Sequence, residues 1–582
     1  MADEKIVWTE KYNHPIAWDQ HFKSLSLPAM FFDTAARKPD AILIDFMGRK
    51  FSYAECRDGV KRVAHGLQAM GVKRGDRVGL FLPNVPHYVA AYYGALTIGA
   101  TVVNFSPLYS AEELEHQVED SGTKILFTLS ASALLPTALE VLENSSLEQL
   151  VVGSVAGALP TAKSILYRMF RRNEMVPRPR HPRVTPFSSL IHNDGSHVPA
   201  EIDPERDLAL LQYTGGTTGR PKGAMLSHQN LSANARQVNM LDPANALEDR
   251  ILAALPFFHV FANTVTLNRT VYTGGEIIML PRFDAGQMLA AISRTRPTSV
   301  PGVPTMFQAL LDHPAIEETD FSSVRYCISG GAPLRMELKD RFEEATGSVL
   351  VEGYGLTESS GVVSSNPYGG LNKPGTIGQP LPATVVKLVD KDDPTRPPPL
   401  GEPGEIVFAG PQVMRGYWQR PDADAEVFLG TFLRTGDVGQ IDEEGYIRIV
   451  DRLKDMIAVG GFKVFPSEIE KMLYRHPTVK EALVIGIPDS YRGESPKAFV
   501  TLTDGSDIDG ETLKAWLNPQ LGKHERVVAV EIRESLPKTM VGKLSRKELV
   551  AEERAKAASV AASPHQSRSG GVNADGHGMR KV

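Results

Sequence analysis

Apolar runs and amphipathic stretches alternate through the first part of the chain. Two short apolar runs between Ile42 and Tyr53 flank Gly48-Arg49-Lys50, which predicts a hairpin. A helix is predicted to about Met70, and Val78 to Leu82 reads as a strand stopped by Pro83-Asn84. The rhythm continues as a helix over 88–98, a strand from Thr101 to Phe105, a helix over 111–119 and a strand from Lys124 to Thr128. Strands and helices alternating at this spacing predict a parallel sheet covered on both faces. Tyr88 to Ala111 carries no charge and invites a membrane reading. Gly94, Gly99, Asn104 and Pro107 interrupt it, so it predicts a buried helix followed by a strand, and no spanning helix.

Pro160 to Pro186 breaks the rhythm. It sets Lys163, Arg168, Arg171, Arg172, Arg178, Arg180 and Arg183 against one acid, Glu174, with Ile165, Leu166, Met169 and Phe170 on one helical face. It reads either as a solvated, partly mobile insertion or as a basic amphipathic patch, 163–183, making peripheral contact with an anionic membrane. Leu208–Tyr213, Glu276–Leu280 and Val324–Ser329 follow as strands. Between Val385 and Val450 short strands and Gly/Pro turns predict a small β subdomain. A new unit with its own hydrophobic set begins near Asp451, with a helix from Pro466 to Arg475, strands from Ala482 to Ile487 and Ala498 to Leu502, and a helix near Leu513. Ser559 to Val582 is polar and small-residue-rich, which predicts disorder.

At 582 residues the chain is too long for one ordinary core, so two or more domains are expected. A net charge of −6 argues against bulk nucleic-acid binding. The two cysteines, Cys56 and Cys327, make neither a disulfide framework nor a metal site, which suits a reducing cytoplasm. Met-Ala-Asp-Glu-Lys at the start has no apolar signal core.

The stretch with the most chemistry is Tyr213 to His228. It packs Gly215, Gly216, Gly219 and Gly223 among Thr214, Thr217, Thr218, Arg220 and Lys222. Glycines let backbone N–H groups approach an anion, threonine hydroxyls add donors, and the basic residues add charge. With a strand before it and a helix opening at Ser227-His228-Gln229-Asn230, it reads as a polyphosphate cradle. A flexible surface loop would explain the glycines but not the bases and hydroxyls. It is not a Walker A loop, because no Gly-Lys-Ser/Thr closes it. Two more strand-end turns carry Gly330 to Pro333 and Tyr354-Gly355-Leu356-Thr357-Glu358. Tyr354 can stack on a purine, Thr357 can bond a phosphate, and Glu358 offers an oxygen to Mg²⁺.

The stretch resembles the signature of the adenylate-forming superfamily: acyl-CoA synthetases, peptide-synthetase adenylation domains and firefly-type luciferases. The resemblance covers roughly residues 30 to 550, with motifs in the expected order. It implies an α/β protein. Residues 1–450 would form a large domain of stacked, mostly parallel sheets with a small β subdomain, 451–556 a small mobile α+β domain, and 557–582 a disordered tail. It implies ATP, Mg²⁺ and coenzyme A. Thr214, Gly215, Gly216, Thr217, Thr218, Gly219 and Lys222 would cradle phosphate. Gly331, Ala332 and Pro333 would lie along adenine with Tyr354 and Gly355, while Asp437 and Arg452 would bind ribose. Thr357 and Glu358 would serve phosphate and metal. Asp451 would be the hinge, Gly460 and Gly461 would pass the pantetheine arm, and Lys543 would be the adenylation lysine. His259, in Phe257-Phe258-His259-Val260-Phe261, would lie near the acyl carboxylate.

Asp451–Ile457, Gly461–Glu470 and Gly416-Tyr417-Trp418 look most like bacterial medium- and long-chain fatty-acid–CoA ligases. Trp18-Asp19-Gln20 and Leu25–Pro28 also look like the related dicarboxylate (pimeloyl-type) ligases. Arg269, on the helix expected to line the acyl tunnel, either reaches the surface or faces the tunnel, where the far carboxylate of a diacid would be its partner. The expected partner is a small carboxylic acid, not nucleic acid, with a homodimer as a further expectation. The site of action would be the cytoplasm or the inner face of a membrane. The rival readings are a peptide-synthetase module, a luciferase-type oxygenase and a non-enzymatic acyl-binding or uptake protein.

Overall fold

Among the described residues, the alternation at the start of the chain becomes a seven-stranded sheet. Its spatial order is Val184–Pro186, Gln149–Gly153, Thr123–Leu129, Arg77–Leu80, Thr101–Asn104, Leu208–Thr214, Lys222–Ser227. All neighbours are parallel except the last two, which form an antiparallel pair. This computed structural model describes residues 7–214, 221–242, 249–399, 401–489, 491–539 and 544–562.

A second sheet, nine-stranded among the described residues, runs Gln379–Pro380, Ser364–Ser365, Val349–Tyr354, Tyr326–Gly330, Ser299–Gly302, Arg250–Ala253, Glu276–Met279, Ile42–Phe46, Arg49–Ser52. The predicted hairpin is its edge, turning at Met47-Gly48. One continuous core holds Val78, Val102 and Leu210 of the first sheet with Ile277, Val300 and Leu350 of the second. The β subdomain is, among the described residues, a five-stranded sheet in which Ile447–Arg452 pairs antiparallel with Phe432–Ile441.

The chain divides into two compact units, one built chiefly of Met1–Lys454, the other of Asp455–Pro537 and Leu544–Val582. The predicted boundary residue Asp451 lies inside the strand Ile447–Arg452 of the first. The second unit has its own core, including Ile457, Ile469, Leu473, Val484, Val500 and Leu513, between a sheet and the helices Pro466–Leu473 and Gly510–Leu517. Its helix Lys547–Ala562 runs past the expected start of the disordered tail, because its alanines and glutamates favour helix. Residues 563–582 lie outside the described residues.

The chargeless stretch is a buried helix, Pro86–Thr97, followed by the strand Thr101–Asn104. A helix buried all round must satisfy its own polar groups. The Tyr92 hydroxyl donates to Asn263 Oδ1 at 3.1 Å, that of Tyr93 to Asn268 Oδ1 at 2.8 Å, and Tyr88 bonds Asn104 Oδ1 at 2.8 Å. Asn263 and Asn268 bound a π-helical segment, Asn263–Asn268, between the helices Val260–Ala262 and Arg269–Thr273. Among the described residues no helix is long and apolar enough to cross a membrane.

Neither predicted setting of Arg269 is realised. The guanidinium is 1% exposed, so it does not reach the surface, and its partners belong to the protein. Nη2 lies 2.9 Å from Asp249 Oδ2 and 3.7 Å from Asp242 Oδ2, and donates to the Tyr326 hydroxyl at 3.0 Å. Tyr326 in turn donates to Asp242 Oδ2 at 2.7 Å. A buried cation needs carboxylates, and here the fold supplies them, so Arg269 is removed from the substrate-binding set. Arg269→Leu should therefore destabilise the protein by about 3–5 kcal/mol, because it strands a buried Asp249. The check is the unfolding midpoint of purified variant against wild type; an unchanged midpoint with altered acid preference would restore a substrate role.

Candidate active site

The phosphate end is built around the paired strands Leu208–Thr214 and Lys222–Ser227. Thr214 and Lys222 face each other across this ladder, with Thr214 Oγ1 3.4 Å from Lys222 O. Gly215, Gly216, Thr217, Thr218 and Gly219, the predicted cradle between them, lie outside the described residues. The helix His228–Asn239 opens as predicted, with Ser227 Oγ accepting from Asn230 N at 3.1 Å and Asn230 Oδ1 accepting from Ser227 N at 3.0 Å.

A distant segment locks onto the second strand. Arg415 N donates to Met225 O at 2.9 Å, Met225 N to Gly416 O at 2.9 Å and Trp418 N to Gly223 O at 2.8 Å. The clamp sets Tyr417 between two predicted site residues. Lys222 Nζ lies 5.2 Å from the Tyr417 ring centroid, a cation–π contact, and the Tyr417 hydroxyl donates to Glu358 Oε1 at 2.6 Å. Burial pushes the Tyr417 hydroxyl well above the ordinary phenol range, and the Glu358 charge adds to the rise, so it remains a donor. Asp120 braces the same corner, accepting from the Tyr213 hydroxyl and from Arg420 Nη2, both at 2.7 Å. Sequence reading noticed Tyr417 only as part of a subfamily motif and missed Asp120; neither carries a local signal of its partners.

The strands Tyr326–Gly330 and Val349–Tyr354 are parallel neighbours in register, Gly330 opposite Gly353. Their carboxyl-end turns therefore lie side by side, one with Gly331, Ala332 and Pro333, the other with Gly355, Thr357 and Glu358. Glu352, also missed, sits beneath them and accepts from Leu334 N at 3.2 Å. Burial pushes its carboxyl up to about 8, against that N–H. Gly355 is required by space: a Cβ there would meet Gly361 O at 2.1 Å.

The expected ribose pair is made by strand register. Asp437 faces Arg452 across the ladder between Phe432–Ile441 and Ile447–Arg452, and Arg452 Nε lies 2.8 Å from Asp437 Oδ1. The Tyr354 hydroxyl donates to Asp437 Oδ2 at 2.5 Å. The Asp437 side chain is only 2% exposed, yet each carboxylate oxygen has a second lone-pair site for a hydroxyl donor. Asp451 is the next residue back and accepts the Arg452 N–H at 2.7 Å.

The segment expected on the acyl side docks on these turns. His259 caps the helix Val260–Ala262, its Nδ1 accepting from Phe261 N at 3.3 Å, which leaves the proton of the neutral ring on Nε2. Phe261 packs where a Gly330 Cβ would stand, 3.1 Å away. Thr264 Oγ1 donates to Ser360 O at 2.5 Å, tying the π segment to the turn that carries Thr357 and Glu358. Asn84 holds the near end, accepting from Phe257 N and donating to Leu255 O, both at 2.8 Å. Lys543 lies outside the described residues. Gly460 and Gly461 belong to the second unit, where φ values of 57° and 86° demand glycine and a Cβ would meet nothing within 4 Å.

Two mostly parallel sheets with the expected nucleotide residues at their strand ends have the build of an adenylate-forming enzyme. The chain belongs to the AMP-binding enzyme family: that family's model matches residues 31–418, and the AMP-binding enzyme C-terminal domain matches 468–543. It is 40% identical over 551 residues to a long-chain-fatty-acid–CoA ligase of Bacillus subtilis (strain 168), covering 94% of this chain and 98% of the relative. ATP-bound MatB of Rhodopseudomonas palustris superposes with a TM-score of 0.80 at 30% identity, over 90% of this chain and 98% of that one. An anthranilate CoA ligase in complex with anthranoyl-AMP gives a TM-score of 0.80 at 27% identity, over 92% and 99%.

Tyr354→Phe removes one hydrogen bond to a buried carboxylate and keeps the ring. AMP affinity should fall about tenfold, the ~1.5 kcal/mol of a hydrogen bond to a charged group. Calorimetric titration with AMP reads it; equal affinity would show that the hydroxyl does not orient Asp437.

Proposed function

We propose that this protein is an ATP-dependent fatty-acid–CoA ligase that activates a long-chain acid as its acyl-adenylate, transfers it to coenzyme A, and releases AMP and pyrophosphate. The observation that carries the reading is the docking of the His259 helix on the Glu358 turn through Thr264 and Ser360. That contact supports reading the acyl segment and the phosphate end as one site. The likeness to the Bacillus ligase over 94% of the chain supplies the substrate class.

A carboxylate resists thiolate attack because resonance and charge deactivate its carbonyl. Attack of a carboxylate oxygen on the α-phosphorus breaks the bond to the β-phosphate, and pyrophosphate leaves. Thiolate attack then breaks the acyl–oxygen bond, and AMP leaves. Lys222, with the cradle, draws the leaving phosphates into line; Tyr417 keeps its ammonium and the Glu358 carboxylate at fixed places. Asp437 and Arg452 hold the ribose, and Tyr354 orients Asp437. His259 positions the acid. Lys543 bridges the attacking carboxylate and the α-phosphate where charge concentrates. Asp451 is the pivot about which the second unit turns, so that its Gly460-Gly461 face replaces Lys543 before the thiol attacks.

Among the described residues no three His, Cys, Asp or Glu could hold a metal ion together. One carboxylate completed by substrate phosphates and water is how Mg²⁺ is ordinarily held, and Glu358 fits that role. When bound, Mg²⁺ supplies charge neutralisation on the phosphates. The free thiols Cys56 and Cys327 fit a reducing cytoplasm.

An acid panel scored by AMP release with and without coenzyme A tests the assignment: a preference for long-chain monoacids and a coenzyme A-dependent product are expected. Lys543→Ala should lower acyl-adenylate formation by about 10²-fold or more while sparing thioesterification of a supplied acyl-adenylate. Equal loss in both half-reactions would sink the two-state assignment. Tyr417→Phe and Glu358→Gln should both raise the Mg²⁺ concentration needed for half-maximal adenylation, Glu358→Gln more, since an amide is a weaker Mg²⁺ ligand. A flat Mg²⁺ titration for both would leave the pair structural.

A further inference from the structure

The basic insertion carries a helix, Thr161–Phe170, in which no residue is buried. Ile165, Leu166, Met169 and Phe170 are 55%, 52%, 61% and 75% exposed, although large apolar side chains are ordinarily covered. They sit at i, i+1, i+4 and i+5, so they form one face. Lys163, Arg168 and Arg171 are exposed on the same helix and its cap, and Arg178 and Arg180 on the segment after it. Glu174, the one acid between Pro160 and Pro186, is paired with Arg171 Nη1 at 2.7 Å, which leaves Lys163, Arg168, Arg178 and Arg180 as an excess of positive charge.

We infer that this helix is the surface by which the enzyme docks on an anionic lipid bilayer, its apolar face entering the acyl region and its basic flank meeting the headgroups. Charge complementarity selects the occupant: a soluble protein groove would cover the apolar face but would not call for cations on both sides of it. The place in the fold agrees. The helix follows the carboxyl end of Gln149–Gly153, and is held there by an antiparallel bridge of Ala131 with Met175. Arg77–Leu80, parallel in the same sheet, runs from the same end to Asn84, which holds Phe257 and Leu255 beside His259. The docking face and the acyl segment thus share one end of one sheet. The inference rests on the long-chain reading: an acid with many methylenes resides in bilayers, each CH₂ favouring lipid by ~0.8 kcal/mol. A bilayer-facing helix on that side shortens its path.

Co-sedimentation of the full chain with vesicles of phosphatidylglycerol and phosphatidylethanolamine, and of phosphatidylcholine alone, tests the inference. Wild type should bind the anionic vesicles at least tenfold better and lose most of that binding in high salt. The variant Ile165→Ser/Phe170→Ser and the charge variant Lys163→Glu/Arg168→Glu should each lower binding at least tenfold. Both should keep turnover of a soluble short acid and lose turnover of vesicle-delivered palmitate. In Phe170→Trp, brominated acyl chains should quench the new indole. Anionic-vesicle binding that persists in both variants overturns the inference. So does a wild type that ignores vesicles but forms a dimer broken by Ile165→Ser/Phe170→Ser, since a second copy would then cover the face. Vesicle binding that behaves as expected in an enzyme inert toward every fatty acid instead overturns the substrate reading and leaves the docking surface in place.

Discussion

The proposed phosphate end of this enzyme depends on a three-bond backbone ladder between residues far apart in the chain. Met225, Gly416, Arg415, Gly223 and Trp418 exchange main-chain hydrogen bonds that extend the strand Lys222–Ser227. Backbone pairing tolerates little slip, because a shift of one residue turns every side chain to the other face. The ladder therefore decides that Tyr417, and not Gly416 or Trp418, faces Lys222 and Glu358. One aromatic residue then does two things: its ring faces an ammonium, and its hydroxyl aims a carboxylate. Asp120 stiffens the corner from a third direction, so the arrangement is over-determined before any phosphate arrives.

Elsewhere the molecule meets one recurring constraint, that polar groups taken out of water must find partners. The tyrosines of Pro86–Thr97 meet it with Asn263 and Asn268, and the resulting ladder reaches Gln212 through Asn104 Nδ2, 3.1 Å from Gln212 Oε1. That chain joins the π segment Asn263–Asn268 to the strand Leu208–Thr214. Arg269 meets it through Nη2, with Asp249, Asp242 and Tyr326, while its Nε and Nη1 have no hydrogen-bond partner among the described residues. Such networks contribute modest net stability, but they cost heavily when half satisfied. They permit one alignment of the His259 helix against the strand ends.

The exposed helix Thr161–Phe170 is the exception. Its apolar face, Ile165, Leu166, Met169 and Phe170, is more than half exposed, where large apolar side chains are ordinarily covered. An unsatisfied apolar surface and an excess of cations are the same kind of statement as an unsatisfied hydrogen bond: the chain is finished by something outside it.

Local pattern alone determined the alternating sheet, the buried chargeless helix, the hairpin between Ile42 and Tyr53 (though it turns at Met47-Gly48 and not over Gly48-Arg49-Lys50), the Ser227 cap and a separate C-terminal unit, because periodicity, caps and turns act within a few residues. The strand-end turns with Tyr354, Thr357 and Glu358 were legible for the same reason. Asp437 and Arg452 were marked only by resemblance; antiparallel register, a non-local property, is what seats one against the other. Tyr417, Asp120 and Glu352 gave no local sign, since each acts on a group brought close by folding. Arg269 is the clearest case. From the chain it was a cation on an apolar helix, open to solvent or substrate, and only tertiary structure could supply Asp249 and Asp242, because the identity of a buried charge's partner is set by packing and not by spacing.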